Sequence, residues 1–141
     1  MKTTFLAVAV AASVSASAMA QSITTLPPNN GTGGIFLQLT PASAPLTVDS
    51  FATYFGSVAG SAVTVAVWTR SGAYAGFTAS NVGWTLSETV AGTSAGAAVQ
   101  SGNIVLANPI AIPLGGPTSI YFHSITVGGG IRYQGTGTTS T

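Results

Sequence analysis

No cysteine occurs in this 141-residue chain, and three basic and two acidic residues accompany a single histidine. The first absence removes disulfides and thiolate metal ligands as means of holding the fold together. The scarcity of charge removes nucleic acid as a partner, because neutralising phosphates takes a basic patch that so few cations cannot form. Metals are poorly served as well: zinc takes three or four Cys, His or acidic ligands, and calcium takes several oxygens, carboxylates among them. No window combines helical periodicity with caps, and no apolar run approaches the ~20 residues of a membrane span. The chain is therefore expected to carry no metal, no cofactor and no membrane span. Stability is left to apolar packing and sheet hydrogen bonds.

The N-terminus has the three parts of an export signal over residues 1–20. Lys2 supplies the positive charge, residues 5–12 a short apolar run, and Ala18-Met19-Ala20 the cleavage site. The mature chain then begins near Gln21. Lys2 leaves with the signal, so Arg70 and Arg132 balance Asp49 and Glu88. A net charge near zero weakens solubility and favours association. Disorder is excluded by the abundance of Val, Ile, Leu and aromatic residues. A mature chain of roughly 120 residues suits one domain that buries about two-thirds of its unfolded surface. The expected location is the cell surface or the secreted fraction.

The mature chain opens with an extended lead-in segment at 21–34, QSITTLPPNNGTGG, where Pro27-Pro28 cannot join a ladder and Asn30-Gly31 marks a turn. Asn30-Gly31-Thr32 also fits the N-glycosylation pattern, but the turn is the preferred reading. Residues 35–40 alternate as a strand with Ile35, Leu37 and Leu39 on one face. Residues 46–55 read as a second strand whose inward set changes parity near Asp49-Ser50, which predicts a bulge. Residues 62–69 are apolar on both faces, as in a covered central strand. A Gly/Ala-rich loop follows at 71–83, then a strand at 84–90 and a turn at 91–96. Two β-branched pieces at 97–106 and 110–114 are separated by Asn108-Pro109. Residues 119–127 form a strand of strong propensity, and 131–133 a short last one. Seven or eight short strands punctuated by turns predict an all-β domain over 35–134, an antiparallel β-sandwich of jelly-roll or Greek-key kind. The tail at 135–141 is either a disordered end or the loop before further strands.

Several phrases resemble a secreted bacterial β-sandwich domain of exported and surface proteins, some of which end in a Pro-Glu-Pro type sorting segment. They are Asn29-Asn30-Gly31, Val63 to Trp68, Gly72, Tyr74, Gly76, Trp84-Thr85-Leu86, Tyr121-Phe122 and Ile131-Arg132-Tyr133. The resemblance implies a structural role and brings no catalytic residues. Its relatives continue past Ile-Arg-Tyr, which implies that this chain is truncated and leaves an unpaired edge beside the 119–127 strand, a template for self-association.

Catalytic patterns are weak. Gly92-Thr93-Ser94-Ala95-Gly96 matches the G-x-S-x-G elbow, but that motif needs a following helix and an acid after the serine, and both acids precede Ser94. Glycosidase chemistry needs two carboxylates across a cleft, and Asp49 with Glu88 is the single pair available. Glu88 sits among Thr and Ser and reads as a solvent-facing strand residue. His123 reads as a residue of a sheet surface. The aromatic residues around the long loop are the remaining binding feature, since sugar rings and protein partners both favour exposed aromatic faces. Trp68 and Trp84 are read chiefly as core, and Tyr74 is undecided between packing and ligand contact. If the loop binds a ligand, the candidate contacts are Tyr74, Trp84 and Tyr133.

The leading expectation is a non-enzymatic structural or adhesive module at the cell surface or in the extracellular matrix. The alternative is a carbohydrate-binding module for a polysaccharide, using the aromatic side chains near the 70–84 loop. The export reading has a direct check. Mass spectrometry of the secreted protein is expected to find Gln21 at its N-terminus, and a protein retaining Met1 or Lys2 would overturn it.

Overall fold

The computed structural model describes residues 27–31 and 33–134. The expected export signal, residues 21–26 of the lead-in segment, Thr32 of the glycosylation pattern and the tail lie outside the described residues. Among the described residues nine strands follow one another: β1 (Asn30–Gly31), β2 (Gly34–Leu39), β3 (Leu46–Phe51), β4 (Tyr54–Phe55), β5 (Ala62–Ser71), β6 (Thr85–Thr93), β7 (Ile104–Ile112), β8 (Thr118–Ser124) and β9 (Ile131–Tyr133). The described residues contain no helix, so none that could cross a membrane. The strands form a four-stranded sheet in the order β2-β8-β5-β6, a two-stranded sheet β3-β7 and a three-stranded sheet β1-β9-β4. Among the described residues every pairing is antiparallel and no sheet closes into a barrel.

Strand β5 shows why the larger sheet forms where it does. Its β-branched residues fit a pleated surface, and the period of two sends Val63, Val65 and Val67 to one side, all buried. Register carries that side across the sheet: Ile35, Phe122 and Val67 form one inner row, and Leu37 lies opposite Ile120 in the next. These side chains meet Ile104, Leu106, Ile110 and Ile112 of β7 and Val48 and Phe51 of β3 in a single core. The Phe51 and Phe122 rings lie 4.2 Å apart across the layers. Phe55 of β4 and Ile131 of β9 close the same core and are fully buried.

The structure corrects several readings of the sequence. Residues 46–55 are two strands rather than one, with Ala52-Thr53 between them. The expected bulge near Asp49-Ser50 is present, and it is larger on the partner strand. Val48 pairs with Ile110 while Ser50 pairs with Val105, so β7 carries the excess residues through Asn108-Pro109 as one strand rather than two pieces. Residues 97–103 are not a strand at all. Strand β8 is not an edge: β2 flanks it on one side and β5 on the other. The unpaired edge expected beside residues 119–127 is therefore absent there.

Glu88 is also placed differently. A bulge in β6 sets Val67 opposite Glu88 and Trp68 opposite Leu86, which leaves Ser87 as the extra residue. The bulge keeps Glu88 on the inner side, level with Val67 and facing β7. There one carboxylate oxygen accepts the Ala107 N–H at 3.0 Å and the other the Asn108 N–H at 2.9 Å. These amides sit in the β7 bulge, where ladder partners are displaced, so the carboxylate replaces missing sheet bonds and ties one layer to the other. Hydrogen bonds to a charged group contribute about 1.5–3 kcal/mol each when buried, and less at a partly exposed site. Glu88→Ala is expected to lower stability by about 2 kcal/mol and Glu88→Gln by about half that, as read from urea unfolding midpoints. A wild-type midpoint in Glu88→Ala would show that the bulge is held by packing alone.

Candidate functional site

The side of the four-stranded sheet opposite the core is aromatic. Because β5 sends its valines inward, Ala66, Trp68 and Arg70 point outward, and β8 likewise presents Tyr121 and His123. Register aligns Phe36, Tyr121, Trp68 and Leu86 in one row across all four strands. Gly34, His123, Ala66 and Thr89 form the adjacent row. Gly34 is required by close approach, because a Cβ there would meet the Phe122 carbonyl oxygen and the Tyr121 ring.

Phe36 is the hub of the ring contacts. It stacks on Tyr121 at 4.1 Å and 11°, on Tyr74 at 5.6 Å and 24°, and meets Trp84 at 5.6 Å and 47°. Trp84 also lies 6.1 Å from Tyr121, and Tyr121 stacks on His123 at 5.4 Å and 14°. Such pairs each contribute about 0.5–1.5 kcal/mol beyond their buried area. The tryptophans are thus not core residues. Both are half-buried on the outer face, because the inward positions between the layers are filled by aliphatic side chains and phenylalanine.

The loop over residues 72–84 folds back across this face. Its start is held where the Gly72 N–H donates to the Pro117 carbonyl and the Ser119 hydroxyl donates to the Gly72 carbonyl. Two turns follow, closed by the Phe77 N–H on the Tyr74 carbonyl and by the Trp84 N–H on the Asn81 carbonyl. Each has glycine third, Gly76 with φ 82° and Gly83 with φ 80°, as a type II turn demands. At Gly83 a side chain would also crowd Arg70 and Phe77. The Arg70 guanidinium lies 3.4 Å from the centre of the Phe77 ring, a cation–π contact. The Trp84 indole N–H donates to the Phe77 carbonyl at 2.7 Å. The indole bond closes the loop on itself, while the Arg70–Phe77 contact and the Tyr74–Phe36 stack bind it to the sheet.

Between loop and sheet lies a cleft of about 220 Å³. Phe36, Trp68, Trp84 and Tyr121 supply its aromatic walls, and His123 and residues 78–81 its polar rim. Of the sequence candidates, Tyr74 and Trp84 come together through Phe36, with Trp84 on the cleft wall. Tyr133 does not join them. It pairs with Asn30 at the β1–β9 ladder and makes no ring contact with the cluster. Phe36, Tyr121 and Trp68 were missed as site residues. Their signal is alternation: each sits between inward-facing neighbours on its own strand, Ile35 and Leu37 around Phe36, Ile120 and Phe122 around Tyr121, and Val67 and Thr69 around Trp68.

The remaining candidates for chemistry are committed elsewhere. The Ser94 side chain is buried, its hydroxyl donating to the Ser57 carbonyl at 2.9 Å and accepting the Gly96 N–H at 3.1 Å, so it clasps a turn. Glu88 holds β7, and the Asp49 carboxylate accepts from the Ser50 hydroxyl. Among the described residues no three His, Asp or Glu side chains gather as a metal site. A second hollow of about 390 Å³ lies where the ends of β5 and β6 meet β7. Hydroxyls of Thr and Ser line it, and it offers no aromatic plane. Family models, curated proteins and solved structures contain no match to this chain.

Burial raises the Tyr121 phenol above its ordinary pKa of 10.0, because desolvation disfavours the phenolate. A raised folded-state value means that the unfolded chain releases this proton first. The contribution of Tyr121 is complete below the ordinary value and is lost as pH rises through the raised one. Urea midpoints at about pH 8 and about pH 11 are expected to fall further for wild type than for Tyr121→Phe. Equal falls in the two proteins would place the alkaline sensitivity elsewhere.

Proposed function

We propose that this chain is a non-enzymatic, exported structural or adhesive module acting at the cell surface or in the extracellular matrix. Its working surface on this reading is the aromatic side of the four-stranded sheet. The layers around one core favour a β-sandwich of jelly-roll or Greek-key kind, with the β2-β8-β5-β6 sheet as one wall. The observation that carries the reading is the placement of Phe36, Trp68, Trp84 and Tyr121 on the side of the sheet away from the core, around a cleft. A core that already buries Ile, Leu, Val and Phe does not need them there. Aromatic residues that are half-buried and grouped on one face are the anchors that binding surfaces favour.

Adhesion is tested on beads coated with the mature protein and challenged with envelope and matrix material from the source cells. Wild-type beads are expected to retain it, and Trp84→Ala to lower retention about tenfold or more, the scale of losing a tryptophan anchor. Retention unchanged in Trp84→Ala, with folding verified by the urea midpoint, would remove the aromatic face from the function.

A further inference from the structure

The cleft on the aromatic face has walls and rim of different chemistry, and together they define a ligand. The walls are flat. Trp84 has spent its only donor on the Phe77 carbonyl, so it offers a ligand a ring face and nothing else. Phe36 has no polar atom to offer. The rim is polar: the Ser80 hydroxyl accepts the Val82 N–H, while among the described residues the Thr78 hydroxyl, the Asn81 amide, the His123 imidazole and the Tyr121 hydroxyl make no hydrogen bond. No acid, lysine or arginine lines the cleft. The nearby Arg70 is turned to Phe77, with its Nε buried and unpartnered. A strongly ionic ligand would therefore be desolvated without a fixed counter-charge.

We propose that this cleft binds one neutral pyranose ring of a polysaccharide, and the proposal rests on the aromatic face being the working surface. A pyranose has an apolar C–H face, which matches the ring face of Trp84, and a rim of hydroxyls that donate and accept. Asn81 and the Tyr121 hydroxyl can both donate and accept, and the His123 imidazole adds a further hydrogen-bonding edge, so hydroxyls can be met in either sense. The volume, about 220 Å³, falls below the roughly 300–1,000 Å³ of sites for drug-sized molecules and suits a single ring. The rest of the chain would extend past the exposed loop.

The test is a tryptophan-fluorescence titration of the mature protein with neutral hexasaccharides (gluco-, manno- and galacto-configured) and with oligogalacturonate of the same length as the anionic control. At least one neutral series is expected to quench or shift the emission, with a dissociation constant on the order of 1 mM for one engaged ring. Oligogalacturonate is expected to bind at least about tenfold more weakly. Tyr121→Phe and Asn81→Ala, which keep the stacking and the turn backbone, should each weaken the neutral ligand several-fold to about tenfold, the worth of one hydrogen bond. Equal binding of the anionic chain, no response to any neutral series, or full affinity in both variants would overturn the proposal. Failure of the wider reading looks different: matrix retention would then be indifferent to Trp84→Ala. If retention depends on Trp84 while the neutral saccharides are silent, the face is the working surface and the ligand class is wrong.

Discussion

Strand β5 divides its side chains between two environments, and the rest of the molecule follows from that division. With no disulfide available, the layers are joined chiefly by Val63, Val65 and Val67 packing against the isoleucines of β7 and Phe122 of β8 against Phe51 of β3. Aliphatic side chains together with Phe51, Phe55 and Phe122 fill the space between the layers, where interiors are close-packed. Phe36, Trp68 and Tyr121, at the alternate positions of β2, β5 and β8, then share the outer face. The candidate site exists because the core is complete without it.

Scarcity of charge makes each charged side chain local in its effect. Glu88 bonds two backbone amides of the β7 bulge, Arg70 lies on the Phe77 ring, and Arg132 donates to the Ala97 carbonyl at 3.3 Å. None of these is an ion pair. The charges answer unsatisfied carbonyls and amides or an aromatic quadrupole, which in a chain of few charges serves where opposite charges would otherwise be used. The same economy leaves the cleft uncharged, and its selectivity must come from ring faces and neutral hydrogen-bonding groups.

The loop across the aromatic face is ordered by turn chemistry and by its contacts with Phe36, Arg70, Pro117 and Ser119, not by a core of its own. Glycines with positive φ let the chain reverse twice within a few residues, and Phe77 receives both the guanidinium of Arg70 and the indole N–H of Trp84. This places Trp84 at the end of the loop rather than in the middle of a strand. It also explains why Phe77 and Trp84 of the loop act together with Arg70 of β5.

Much of the local structure was legible in the residues. Ile35, Leu37 and Leu39 share a face as alternation requires, the parity change at Asp49-Ser50 is a bulge, and the glycines of residues 72–84 mark turns. What the sequence by itself determined is therefore where strands run and which of their side chains travel together, because a period of two is a property of one strand. Only the tertiary structure decided which strands pair and which face meets the second layer. Nothing local brings β8 between β2 and β5, or sets Phe36 beside Tyr121, since those partners are far apart in the chain and are chosen by the burial of the whole inner face. Glu88 shows the same limit. A carboxylate among Thr and Ser looks solvent-facing until a bulge opposite Val67 turns it toward amides on a strand that its own neighbours do not predict.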